Sequence, residues 1–267
     1  MGGAAKGEVK VERITFLGAE GQKLAARLDA PDEAPRAYAL FAHCFTCGKD
    51  VFAASRVAQR LTEHGVAVLR FDFTGLGASE GEFANTNFSS NVADLIFAAA
   101  HLRQAYEAPA LLIGHSLGGA AVLAAAGEIP GSRAVVTIAA PSDPRHVIGL
   151  FRDRIPQIEA DGEAEVLLEG RSFRIKRQFL IDVAEQDLAA KIAQLRRALL
   201  IMHSPRDTTV DISNATRIFA AAKHPKSFIS LDTADHLLTV REDAIYAANL
   251  IAAWVVRFLP TRAQSAG

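Results

Sequence analysis

The chain has 267 residues, half of them apolar, which is enough for one α/β domain with a sizeable core. With 29 Lys and Arg against 30 Asp and Glu, the formal charge is -1. That balance excludes the basic footprint of a nucleic-acid binder, and the abundance of aliphatics excludes a disordered chain. The N-terminal stretch through Phe16 lacks the apolar run of a secretion signal, and no segment reaches the roughly 18 uninterrupted apolar residues of a membrane span. Two cysteines, Cys44 and Cys47, are too few for a disulfide framework, so the expectation is a cytoplasmic protein of bacterial type with reduced thiols.

Residues 9–16 and 23–28 alternate around a Gly-Ala-Glu-Gly turn and read as a hairpin. A rhythm of short apolar runs and amphipathic segments follows. Strand 37–42 ends at His43, helix 55–64 is closed by Gly65, and strand 66–71 comes next. Val92, Leu95, Ile96, Ala99, Leu102 and Tyr106 lie at helical spacing ahead of Pro109. Strand 110–113, helix 117–128, strand 134–139, strand 198–202, helix 212–222, strand 227–231 and helix 242–259 complete the series. Strands alternating with helices predict a mostly parallel sheet covered on both faces.

Residues 141–195 break this rhythm, being highly charged and without a buried strand. Segments 165–168 and 173–176, around Glu169-Gly170-Arg171, read as a small polar hairpin between helices. The expectation is one domain over 1–267 with a cap insertion, 141–195, over the carboxyl edge of the sheet, where α/β folds bind ligands.

The chemistry concentrates in Gly114-His115-Ser116-Leu117-Gly118, a G-x-S-x-G string between a strand and a helix. A serine held on such a sharp turn needs small neighbours, and the helix start behind it favours charge developing on an attacked carbonyl. Serine also needs a base, and a base needs an orienting acid. Asp207 follows strand 198–202 and His236 follows strand 227–231, so adjacent strand ends bring both toward Ser116. Asp143 is the alternative acid. Asp232 and Asp235 read as loop caps, Asp211 as a helix cap, and His203 and His115 as structural hydrogen bonders beside the site. Phe45, in the loop after strand 37–42, and Leu117 are the expected backbone donors to an oxyanion.

On these residues the chain resembles the α/β-hydrolase superfamily over essentially its whole length. Asp72-Phe73-Thr74-Gly75-Leu76-Gly77-Ala78-Ser79 also resembles that family's turn after the next strand. The resemblance implies an eight-stranded, mostly parallel sheet and a serine triad of Ser116, Asp207 and His236. More narrowly, Ala42-His43-Cys44-Phe45-Thr46-Cys47 and Phe83-Ala84-Asn85-Thr86-Asn87-Phe88-Ser89 resemble the hydrolase part of bacterial proteins that fuse this fold to an OsmC-type domain. No such partner domain is expected before Gly267. The family usually has His-Gly where this chain has His43-Cys44, a departure that bears on substrate size. The pair Cys44 and Cys47 forms a C-x-x-C, read first as buried structural thiols, with redox sensing or metal binding as alternatives.

The expected activity is hydrolysis of short- to medium-chain carboxylic esters through an acyl-enzyme, with no cofactor and no metal. The expected partner is a small-molecule ester, with no nucleic acid or membrane, and a homodimer is the candidate assembly. Expected substrate-binding residues are His43, Cys44, His115, Phe151 and Phe179, with Ile155 also lining the pocket. A thioesterase, a small-substrate peptidase and a perhydrolase would use the same triad. A silent binding module and a thiol redox protein built on Cys44 and Cys47 are the rival classes. Dehalogenase and epoxide hydrolase chemistry is disfavoured because the nucleophile position holds Ser116 rather than aspartate.

Overall fold

Short apolar runs separated by amphipathic helices bury both faces only as a helix-covered sheet. The computed structural model, which describes residues 9–168 and 170–259, has that arrangement. The expected domain's residues 1–8 and 260–267, and Glu169 in the expected hairpin turn, lie outside the described residues.

β1 (Lys10–Leu17) and β2 (Lys23–Ala30) form the antiparallel hairpin. The other strands of the main sheet are β3 (Ala37–Ala42), β4 (Val66–Phe71), β5 (Leu111–His115), β6 (Ala134–Ile138), β9 (Ala198–His203) and β10 (Lys226–Ser230). Their spatial order is β1-β2-β4-β3-β5-β6-β9-β10, parallel from β4 onward. The period of two divides the side chains. In β3, Ala37, Ala39 and Phe41 pack on one face, while Leu40 and Ala42 pack on the other.

α1 (Phe52–Glu63) and α8 (Arg241–Val255) cover the first face. α2 (Phe88–Ala105), α3 (Leu117–Ala125) and α7 (Ser213–Ala221) cover the second. Two helices begin earlier than the sequence predicts. α1 starts at Phe52 because Ala53 and Ala54 already face the core. α2 starts at Phe88 because Asn87 and Ser90 form a reciprocal cap, with Ser90 N donating to Asn87 Oδ1 at 2.8 Å and Asn87 N to Ser90 Oγ at 2.9 Å.

Between β6 and its sheet neighbour β9, the chain makes a 3-10 stretch (Pro144–Arg154) and α4 (Ile155–Asp161). An antiparallel pair follows, β7 (Glu163–Leu168) and β8 (Arg171–Lys176), then α5 (Arg177–Glu185) and α6 (Leu188–Ala193). The hairpin is amphipathic rather than polar: Ala164, Val166, Leu168 and Ile175 are buried in the core, whereas Leu167 is 73% exposed. Its charged residues had hidden that alternation.

This segment packs on the loop after β3. Phe179 lies 5.4 Å from Phe45 between ring centroids, Phe83 bridges Phe45 and Phe173, and Arg171 donates to the Thr46 carbonyl. Asp182 accepts from the Ser89 amide at 2.9 Å, which ties α5 to the start of α2, and Lys176 Nζ donates to Asn85 at 2.6 Å, which ties β8 to the turn before it. Among the described residues no helix is long and apolar enough to cross a membrane.

An ion pair is sealed inside. Arg70, in the middle of β4, is 1% exposed and binds Asp29 of β2 through Nε at 2.8 Å and Nη2 at 2.7 Å. Its Nη1 donates to Ser55 Oγ at 3.0 Å and to the Lys49 carbonyl, joining the sheet to the start of α1. Asp29→Ala would leave the buried guanidinium only the exposed Asp50 carboxylate, 3.4 Å from Nη1, as an anion and should cost roughly 3–5 kcal/mol in denaturant unfolding. A loss below about 1 kcal/mol would mean that the remaining acceptors suffice.

Candidate active site

β5 delivers Ser116 at the point where the chain reverses into α3. Its φ of 54 and ψ of -127 are unfavourable for a side-chain-bearing residue, and its amide donates to Ile138 O at 2.9 Å. The turn closes only because Gly114 and Gly118, two residues to either side, lack Cβ atoms. A Cβ on Gly114 would strike the Gly118 carbonyl, and one on Gly118 would strike the carbonyls of His43 and Ala42. The glycines of the string therefore let the start of α3 lie directly on the loop after β3.

Asp207 and His236 sit on the loops after β9 and β10. His236 Nδ1 donates to Asp207 Oδ2 at 2.8 Å, and Ser116 Oγ lies 2.9 Å from His236 Nε2. The carboxylate partner fixes the tautomer, leaving Nε2 to accept the serine proton. Asp207 Oδ1 accepts from the Thr209 and Val210 amides, each at 2.8 Å. Burial opposes ionisation of Asp207, but the His236 ring and those amides outweigh it and hold the carboxyl below its ordinary range. The two loops are tied together by Ser204 Oγ, which donates to Asp232 O at 2.9 Å.

The neighbouring polar groups serve the frame. His115 is buried, and its Nε2 donates to the His236 carbonyl at 2.7 Å. His203 Nε2 donates to Val210 O at 2.7 Å. Asp143 is engaged by the amide and side chain of Arg145, and Asp235 accepts from the Leu237 and Thr239 amides at 3.0 Å. Asp211 accepts from Ser213 N at 2.9 Å, beside the start of α7.

Phe45, expected as the second backbone donor, lies in the loop after β3. Among the described residues the Phe45 amide donates to no protein group, and Leu117 opens α3, where an amide has no intrahelical acceptor. His43 clamps this loop. It is 1% exposed, with Nδ1 donating to Cys44 O at 2.8 Å and Nε2 facing Phe73 N at 3.4 Å. Asp72 holds the loop's far end, accepting from the Lys49 amide at 2.6 Å and from Lys49 Nζ at 2.9 Å.

Here the structure corrects the expectation of reduced thiols: Cys44 and Cys47 are joined in a disulfide. The Cys47 amide donates to Cys44 O at 3.2 Å, and that turn brings the Cα atoms to 5.3 Å, inside the span a disulfide bridges. Cys47 is also not at a helix start, since α1 begins at Phe52.

A narrow pocket of about 10 Å³ runs between this loop and α3, with room for about one water molecule. It is lined by His43 and Cys44, as expected, and by Phe45, Phe73, Leu76, Asn91, Leu117, Gly118 and Ala121. Phe151 and Phe179 are 2% exposed and belong to the core cluster, and neither they, Ile155 nor His115 lines this pocket. The walls from Phe73, Leu76 and Asn91 were missed because they come from the turn after β4 and from α2.

Burial lowers the pKa of both His115 and His43 to about 4. Between pH 6.5 and 4 the unfolded chain therefore binds protons that these native histidines refuse. Their contribution to stability is complete above pH 6.5 and is lost as pH falls toward 4. Asp94, raised to about 6 by burial, acts in the opposite sense over the same interval. Thermal unfolding followed from pH 7 to 4 should show a shallower decline in His115→Gln than in the wild type. Parallel curves would refute a neutral His115 as a source of the slope.

Residues 39–260 match the family model described as the Alpha/beta hydrolase family. The esterase domain of a Rhodothermus marinus protein is 49% identical, with 94% of this chain and 100% of that domain covered and a TM-score of 0.77. Monoglyceride lipase of Rattus norvegicus is 33% identical over 117 residues, and the match spans 43% of this chain but only 38% of that lipase. A Butyrivibrio proteoclasticus protein solved with ferulic acid shares the fold at 19% identity, with 92% and 98% of the two chains covered and a TM-score of 0.75. With its sheet order, its serine turn and a family match over residues 39–260, the chain belongs to the alpha/beta hydrolase family.

Proposed function

We propose that the protein is a serine carboxylesterase acting on short- to medium-chain esters. The observation that carries this reading is the unbroken hydrogen-bonded chain from Asp207 through His236 to Ser116. Ser116 Oγ attacks the ester carbonyl while His236 Nε2 takes its proton, and Asp207 stabilises the resulting imidazolium. The Phe45 and Leu117 amides receive the oxyanion. His236 returns the proton to the departing alcohol, then deprotonates a water that attacks the acyl-enzyme and frees the acid.

The crowded apolar walls behind Leu117, Phe73 and Leu76 among them, support a small acyl group. The Cys44 side chain, in place of the usual glycine, adds to the crowding on that wall. In this reading residues 141–195 form the cap, which acts through Phe179 against Phe45 rather than by lining the acyl pocket with Phe151. The 49% identity to an esterase domain supports the ester class. The strings around His43 and Asn87 support the narrower affinity with hydrolases of the OsmC-fused type.

Hydrolysis of p-nitrophenyl esters from acetate to palmitate, wild type beside Ser116→Ala, tests the proposal. Turnover should peak among the short acyl chains and fall by about 10³-fold or more in the variant. Absence of both turnover and fluorophosphonate labelling, with the fold intact, would overturn it. Labelling with turnover of an acyl thioester alone would keep the nucleophile and change the substrate class.

A further inference from the structure

The disulfide stands between two spaces. Cys44 lines the narrow pocket beside Leu117, while Cys47 lines an open outer pocket of about 530 Å³ together with Gly48, Lys49, Asp72 and Arg171. Both cysteines are nearly buried, at 5% and 7% exposure, so the outer pocket is the approach to the bond. Asp50 also lines it, and both carboxylates are paired with Lys49. The Arg171 guanidinium reaches the same wall and donates to the Thr46 carbonyl. Lys49 is neutralised by those two carboxylates, which leaves Arg171 as the cation that an arriving thiolate meets.

The bond encloses Phe45, the expected oxyanion donor, and Thr46. Thr46 has φ of 64, a conformation that a β-branched residue keeps only when its surroundings enforce it. The disulfide supplies much of that enforcement, alongside the Arg171 contact and the 3.2 Å bond from the Cys47 amide to Cys44 O. Once the two sulfurs part, Thr46 is free to relax and the Phe45 amide moves with it.

We propose that the Cys44–Cys47 bond is a site of thiol–disulfide exchange with a dithiol entering the outer pocket, and that opening it slackens the Phe45 amide and slows acyl transfer. The dithiol's thiolate attacks the Cys47 sulfur, the Cys44–Cys47 bond breaks, and Cys44 leaves as a thiolate. The second thiol of the reductant then attacks the mixed disulfide at its own sulfur, releasing Cys47. The two electrons come from the dithiol, which departs as a cyclic disulfide, and its two protons end on Cys44 and Cys47. The effect on turnover rests on the esterase reading above.

The test compares p-nitrophenyl acetate turnover of the protein before and after incubation with dithiothreitol, with thiols in the same samples counted by iodoacetamide labelling and mass spectrometry. Reduction should expose two alkylatable cysteines and lower kcat by at least about tenfold, short of the 10²–10³-fold that complete loss of an oxyanion donor costs. Oxidised dithiothreitol should restore the rate. The double variant Cys44→Ser with Cys47→Ser should run at the reduced rate and ignore both reagents, and the wild-type comparison decides the matter if that variant fails to fold. A bond that dithiothreitol never opens in the native protein overturns the exchange site, and equal turnover with both cysteines alkylated overturns its control of acyl transfer; either result leaves the esterase reading standing. No turnover in either state overturns the esterase reading with it.

Discussion

The approach of the start of α3 to the carbonyls of Ala42 and His43 is the contact on which the rest of the site depends. It sets the spacing between the Leu117 amide and the loop that carries the Phe45 amide, and it requires hydrogen where residue 118 would otherwise carry a methyl. The strained backbone of Ser116 follows from the same geometry. A turn this sharp between β5 and α3 leaves the serine in a conformation that only surrounding packing maintains. That packing comes from a helix whose residues 117–125 are all buried.

Around this contact, buried polar groups act as struts rather than reagents. His43 binds its own loop at Cys44 and faces Phe73 across the next turn. Asp72 grips Lys49 on one side and accepts from the Ala78 amide at 3.0 Å on the other. Arg70 joins the Lys49 carbonyl to Asp29 two strands away. Each would be costly to bury alone, and each is paired so that the loop after β3 has little freedom. A fixed loop holds the Phe45 amide in one place, the preorganisation that the oxyanion role proposed for it requires.

Much of this was legible in the sequence because the signals were local. Apolar runs such as 66–71 and 198–202 could only be buried strands, and Gly114 to Gly118 named its own turn. Asp207 and His236 could be singled out because each lies on the loop after a strand. Tertiary effects were harder to see. Ser90 stands where a capping box more often has Glu or Gln, so the true start of α2 was hidden. The alternation in β7 was obscured by Glu163 and Glu165 on its outer face. Arg70 reads as an interruption of an apolar strand until Asp29 is seen beside it. The disulfide depends on the fold of a four-residue turn, which spacing alone does not reveal.

The chain leaves the sheet after Ile138 and rejoins it at Ala198, on the strand hydrogen-bonded to the one it left. Everything in between is a detour the ladder does not need, and closing a longer detour costs only slowly more entropy. Over evolutionary time that segment can be lengthened, shortened or exchanged while Ser116, Asp207 and His236 stay where the strands put them. The length and make-up of that detour are thus independent of the strand pairing that places the loops of Ser116, Asp207 and His236.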